Sequence, residues 1–350
     1  MKKKIIAIIV AIVLIIPLSR GWYEFLLDYF FDAELASSTQ LKFEKISDSE
    51  VEVTGYDSDY RSDLTIPIKV MIGLHIYKVT SIGEKSFLYC DKKKIKIPEG
   101  VTNIGEQAFS GCNKLTSIKI PKGVTNIKNR TFSGCKNMTS VTLPEGMKVI
   151  GMGAFSGCEK LTSINLPEGI KRIGIGTFIN CKELENIKLP NSVTDIGRDA
   201  FYGCDYLRSI EIPDGVTDIK DNVFENCYHL ESVKIPEDVN RIGKSAFKNC
   251  HSLTIVNLSN EVERIGENAF GECNSLTKVV LPKSLTSINY RTFSGCSSLE
   301  SIVIPEDVTN IGIGAFKGCK NLNVLIDNSK DKVEIGKEAF EGCKSVRFLK

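Results

Sequence analysis

The chain has 350 residues, of which 45 are basic and 43 acidic, leaving a net charge of +2 with no run of like charge longer than Lys2–Lys4 and Lys92–Lys94. That balance argues against nucleic acid as a partner, because binding it needs a basic stripe dense enough to release counterions. Length alone suggests two or three domains, but the internal repeat described below replaces that prior with one elongated domain that grows along a single axis.

At the N-terminus, Lys2, Lys3 and Lys4 precede an unbroken apolar run from Ile5 to Ile16, interrupted by Pro17 and closed by Ser19, Arg20 and Gly21. A charged start with a short apolar middle is the layout of an export signal, and the run is shorter than the roughly 20 residues of a membrane span. The aromatic stretch Trp22–Phe31 suits a membrane interface. Residues 1–21 therefore read as a cleaved signal peptide or an uncleaved membrane anchor, and residues 22–40 as a linker. Any membrane contact is expected through this segment alone.

Leu41 and Phe43, then Val51 and Val53, alternate with polar neighbours across the turn-like Ser47–Glu50, which predicts a β-hairpin. Leu64, Ile66, Ile68, Val70 and Ile72 alternate in the same way. Val79 follows Pro67 by twelve residues, whereas later Val101 follows Pro98 by three, so nine extra residues enlarge the first turn. A stack of units needs an atypical end piece to cover its open core, and residues 41–80 are read as that N-terminal β cap.

From residue 81 to 350 one unit recurs. Phe-x-x-Cys appears twelve times, from Phe87–Cys90 to Phe340–Cys343, with cysteines 23 residues apart except for a first gap of 22 and a last of 24. Self-similarity at this period marks a solenoid, in which stacking supplies the core that one unit cannot build alone. Within one unit, Ile118 and Ile120 alternate with Ser117 and Lys119, which predicts a short parallel strand with its isoleucines inward. Pro121, lacking an amide hydrogen, ends the ladder; Ser259 and Asn328 stand in that slot in two units. Val124 and Ile127 predict a second, shorter extended segment on the opposite wall, and Glu106–Ser110 has the composition of a single helical turn. The residue before each cysteine is Gly or Asn in ten of twelve units, as left-handed turn ends prefer; Tyr89 and Glu272 are the exceptions. About twelve such coils at roughly 4.8 Å give a body on the order of 50 Å long.

Every cysteine occupies the same slot, where a small apolar thiol packs well, and parallel side chains stacked about 5 Å apart do not readily meet disulfide geometry. The cysteines are therefore expected as a column of buried free thiols. The pattern Leu-x-x-Ile-x-Ile-Pro-x-x-Val-x-x-Ile-Gly-x-x-Ala-Phe-x-x-Cys, seen from Leu115 to Cys135 with Lys128 and Thr131 as local departures, resembles the BspA-type leucine-rich repeat over about residues 64–350. The resemblance implies a curved, right-handed leucine-rich-repeat solenoid with one main parallel sheet, short opposing segments and single helical turns. It also implies an exported protein, secreted or at the cell surface, engaged in adhesion to a protein of a host or neighbouring cell.

No chemistry stands out. His75, His229 and His251 are the only histidines; the last two lie in adjacent coils but lack a third ligand at metal spacing, and read as surface residues of a turn. No phosphate-binding fingerprint and no catalytic pair emerge, so the reading is a protein without enzymatic activity, cofactor or metal. The outward strand positions are more informative. The column of Ser117 runs Ser140, Ser163, Asn186, Ser209, Ser232, Ile255, Lys278, Ser301, Val324, and the column of Lys119 ends in Val280, Val303, Ile326. An apolar outward face is not required by the coil and marks an interaction surface; Ile255, Val280, Val303, Val324 and Ile326 are its candidate partner-binding residues. Two rival uses of the same scaffold are self-association through the C-terminal coil, where Val346–Lys350 presents a sheet edge, and a dedicated inhibitor or sensor of one protein.

Overall fold

A computed structural model describes residues 40–58, 63–73 and 75–350. The export segment and nearly all of the linker expected before residue 40 lie outside these residues. The rest is a solenoid of about 23-residue coils with two walls of parallel strands. One wall runs from Leu64–Thr65 through Ser209–Glu211 to Ser345–Phe348, the other from Asn103–Ile104 through Asp195–Ile196 to Glu334–Ile335. Pairing is coil on coil and in register, as in Ser209↔Ser232, Ile210↔Val233 and Glu211↔Lys234. Because side chains alternate along a strand, the middle residue of each main-wall strand, such as Ile118 or Ile210, is buried while its two neighbours face solvent.

The proline slot ends the ladder as expected. Where proline is replaced, the substitute is buried and makes its own bond to the preceding coil: Ser259 Oγ donates to the Val239 carbonyl at 3.1 Å, and Asn328 Nδ2 to that of Glu306 at 2.7 Å. A buried polar side chain holds such a position only when it is paired.

The segment expected as a helical turn is instead a pair of tight turns. In one coil Ser110 N bonds Gln107 O and Cys112 N bonds Phe109 O, both three residues back. Among the described residues the single helical element is a 3-10 turn at Lys330–Lys332. Two residues per coil are left-handed. The one before each cysteine is so in all twelve coils, including Tyr89 at φ 57° and Glu272 at φ 59°. A second left-handed column, five residues before each cysteine, runs through Lys85, Gln107, Arg130 and Asp199 to Glu338. Amides from these turns climb to the next coil, with Gln107 N on Asn129 O, Phe109 N on Thr131 O and Gly111 N on Ser133 O, so the ladder is what imposes the backbone there.

The phenylalanines form a continuous stack. Successive rings from Phe87 to Phe340 are 5.3 to 5.7 Å apart and within 16° of parallel, the offset arrangement that ring quadrupoles favour. Tyr56 closes the stack at one end, 5.8 Å from Phe87. Burying each ring contributes roughly 1.5–3 kcal/mol before entropy.

All twelve cysteines are free, and every one but Cys343 is fully buried. Eleven of the thiols donate to the carbonyl of the phenylalanine one coil earlier, at 3.0 to 3.4 Å; Cys112 to Phe87 and Cys204 to Phe178 are examples. Burial pushes the thiols of Cys158, Cys181, Cys204, Cys227, Cys250 and Cys273 well above their ordinary range, because a thiolate there would be desolvated.

At the N-terminal end, β1 (Leu41–Lys45) and β2 (Glu50–Tyr56) form the expected antiparallel hairpin. The alternating run after it is broken into β3 (Leu64–Thr65), which joins the main wall beside Ile95–Lys96, and β4 (Lys69–Ile72), antiparallel to β5 (His75–Ile82). The break falls after Pro67, so Ile68 turns outward while Leu64, Ile66 and Val70 are buried. The extra residues of the first turn are thus a second hairpin, opened at Gly73 with φ 64°.

Candidate interaction surface

The main wall offers two outward columns. In residues 117–257 they are polar apart from Ile255, and neighbouring coils tie together charges on and beside them: Lys119 Nζ lies 2.8 Å from Glu99, Arg208 3.1 Å from Glu231, and Lys234 3.5 Å from Glu211. Ile255, Val280 and Val303 break the pattern. They are 49, 61 and 52 % exposed, and Val280 and Val303 lie in consecutive coils.

Val324 and Ile326 do not belong to this face. Both are 0 % exposed and point inward, because the pairing sets Val324 beside Ile302 and Ile326 beside Ile304. The coil of Cys319 reaches its strand one residue sooner than the coils from Cys112 to Cys296, and in a strand a slip of one residue exchanges the two faces. Leu325 takes the outward place beside Val303, and it is half-buried. Comparing Leu322–Ile326 with Leu299–Ile304 reveals the missing residue in the sequence itself.

A concavity of about 400 Å³ lies over this part of the wall, where the ladder is interrupted between Lys278–Val279 and Ser301–Ile304. Val280 and Val303 are among its lining, with Lys278 and Lys283 in one coil, Glu306 and Asp307 in the next, and Asp327 in the third. Similar hollows of about 490 and 310 Å³ occur at the same place in other coils, beside Lys96 and Lys119 and beside Lys188 and Glu211. The hollow is therefore a property of the wall, and only its lining is particular to each coil.

The histidines do not converge. His229 stacks on Tyr206 at 4.8 Å, with Nδ1 2.8 Å from the Asp205 carbonyl, and His251 packs on Tyr228 at 5.1 Å, in a neighbouring column. Among the described residues no group of three or more His, Cys, Asp or Glu side chains is placed to hold a metal ion.

Residues 80–207 and 171–300 match the family described as BspA type leucine rich repeat region. A leucine rich cell surface protein from Faecalibacterium prausnitzii is 29 % identical, with 91 % of this chain and 95 % of that one aligned at a TM-score of 0.62. A leucine-rich repeat protein from Bacteroides ovatus is 30 % identical over 89 % and 98 % of the two chains, with a TM-score of 0.56. The pneumococcal vaccine antigen PcpA, at 16 % identity over 90 % and 92 %, shares the fold with a TM-score of 0.55. No curated protein matches the chain.

Proposed function

The chain belongs to the BspA-type leucine-rich repeat family, and from that premise we propose that it is an exported, non-catalytic protein-binding scaffold, secreted or held at the cell surface, that adheres to a protein of a host or neighbouring cell. One observation carries the choice of surface. The coils bury the same core throughout, yet Val280 and Val303 replace the charged and polar residues that every earlier coil from Lys119 to Asn257 sets at the same outward position. Export is supported by the layout of residues 1–21 and by the likeness to a cell surface protein. In this reading residues 22–40 link, residues 41–80 cap the core, and the solenoid from residue 81 onward displays the face.

The test compares the chain with its Val280→Lys/Val303→Lys variant in a crosslinking pull-down against matrix and surface proteins of candidate cells. Capture by the parent and not by the variant is expected; equal capture by both removes this face from the function. A second reading rests on the strand Ser345–Phe348, which stands at the edge of its sheet with Val346 and Leu349 exposed. Such an edge pairs readily with another chain, and a strict monomer by light scattering at high concentration overturns that reading.

A further inference from the structure

The hollow over Val280 and Val303 has charged sides of opposite sign. Lys278 and Lys283 stand in one coil, Glu306 and Asp307 in the next and Asp327 in the third. Elsewhere on this wall some charges pair between neighbouring coils, as Lys119 and Glu99 do at 2.8 Å, while others such as Lys188 have no ion pair among the described residues. Here Lys278, Lys283 and Asp307 have no ion-pair partner among the described residues. The acidic side already holds an ammonium: Lys350 Nζ is 2.7 Å from Glu306 Oε2 and 3.2 Å from Asp327 Oδ1.

Resting on the scaffold reading above, we propose that this hollow docks an extended segment of the partner protein that crosses the strands and carries charge in the opposite order. An acidic side chain meets Lys278 and Lys283, an apolar one covers Val280 and Val303, and a basic one takes the place of Lys350 between Glu306 and Asp327. The dimensions set the spacing. The coils of Lys278 and Asp327 are two steps apart, about 10 Å at the usual strand separation, and Asp327 stands four residues, about 13 Å, further along the strand direction, so the segment crosses diagonally over roughly 16 Å. In an extended segment, side chains at alternate residues share one face, and an acid and a base four residues apart span about 13 Å. The flexible ends of the two charged side chains take up the difference. The motif is acid, any residue, apolar, any residue, base, in either chain direction, since turning the segment around restores the same order of charges. Lys350 acts as an internal competitor that any such segment displaces.

The probes are three blocked peptides, Glu-Thr-Val-Thr-Lys, Glu-Thr-Val-Thr-Glu and Lys-Thr-Val-Thr-Lys, titrated into the full chain while the methyl NMR signals of Val280 and Val303 are followed. The mixed peptide is expected to shift both valines and to bind about tenfold more tightly than either like-charged one, the scale of two partly exposed ion pairs. Glu306→Gln with Asp327→Asn removes the preference over Glu-Thr-Val-Thr-Glu and leaves that over Lys-Thr-Val-Thr-Lys, and Lys350→Ala raises the affinity for the mixed peptide. Equal binding of all three peptides, or no shift at either valine, overturns the proposal. The scaffold reading falls separately: it fails if Val280→Lys/Val303→Lys leaves protein capture unchanged, and it survives if capture depends on the valines while the peptides are not distinguished.

Discussion

Residues 117–257 and residues 278–303 of the main wall share an inward face and differ in the outward one. Ile210 in the first region and Val279 and Ile302 in the second are buried alike, over the same phenylalanine stack and the same thiol column. Outside, the first region ties lysine and arginine to glutamate across coils, while the second sets Val280 and Val303 in solvent. The core does not register the change. Folding therefore constrains one face of each strand, and the other is free to be selected for what it touches.

The contrast breaks most visibly if the shared interior differs between the two regions. Its largest test is alkaline. Thiols whose folded pKa is raised keep their proton above the usual thiol value, near 8.5, while the unfolded chain releases it. Their contribution is complete below about pH 8.5 and is lost as pH rises, by about 1.4 kcal/mol per thiol per pH unit. With Cys158 through Cys273 all shifted in that direction, urea midpoints are expected to collapse between pH 7 and pH 10. An unchanged midpoint would mean that the column tolerates thiolates. Next in size, Phe201→Ala in the polar-faced region and Phe293→Ala in the apolar-faced one should each cost about 3–5 kcal/mol, since both rings are fully buried between parallel neighbours. Unequal losses in thermal melts would show that the outward valines take part in local packing. A smaller change of opposite sign is expected from Glu272→Gly. Relief of a left-handed glutamate at φ 59°, less the added freedom of glycine when unfolded, leaves a gain of about 0.5–1 kcal/mol. Smallest in stability is Val280→Lys with Val303→Lys, within about 0.5 kcal/mol of the parent although partner capture is lost; a drop of several kcal/mol would erase the division between the two faces.

How far the sequence reveals this molecule depends on whether residue identity or backbone pairing decides each feature. The period, the inward isoleucines and the thiol column are legible because each slot admits few residue types. The second left-handed column is only partly legible: Gly153, Gly176, Gly314, Asn222 and Asn268 suit that conformation, whereas Lys85, Gln107 and Arg130 do not signal it and are held there by bonds such as Gln107 N to Asn129 O. The bond from each thiol to the phenylalanine one coil earlier is likewise invisible in a motif that places Phe three residues before Cys within its own coil. On the surface, Ile255, Val280 and Val303 follow from alternation alone. A fixed count from cysteine puts Val324 and Ile326 on that face, and the partner register of Asn323–Ile326 turns them inward.

The thiol column has a consequence for how the chain must reach its folded form. In the finished solenoid each proton from Cys112 to Cys343 is committed to a carbonyl one coil away, and all but the last thiol are closed to reagents in solution. In the unfolded chain the same twelve groups are equivalent, accessible and evenly spaced, and no two of them are bonded in the folded form. Every disulfide is then an error that staples one coil to the wrong neighbour. Where the surroundings are oxidising, coiling and oxidation compete for the same sulfur atoms, and only coils that close first keep them reduced.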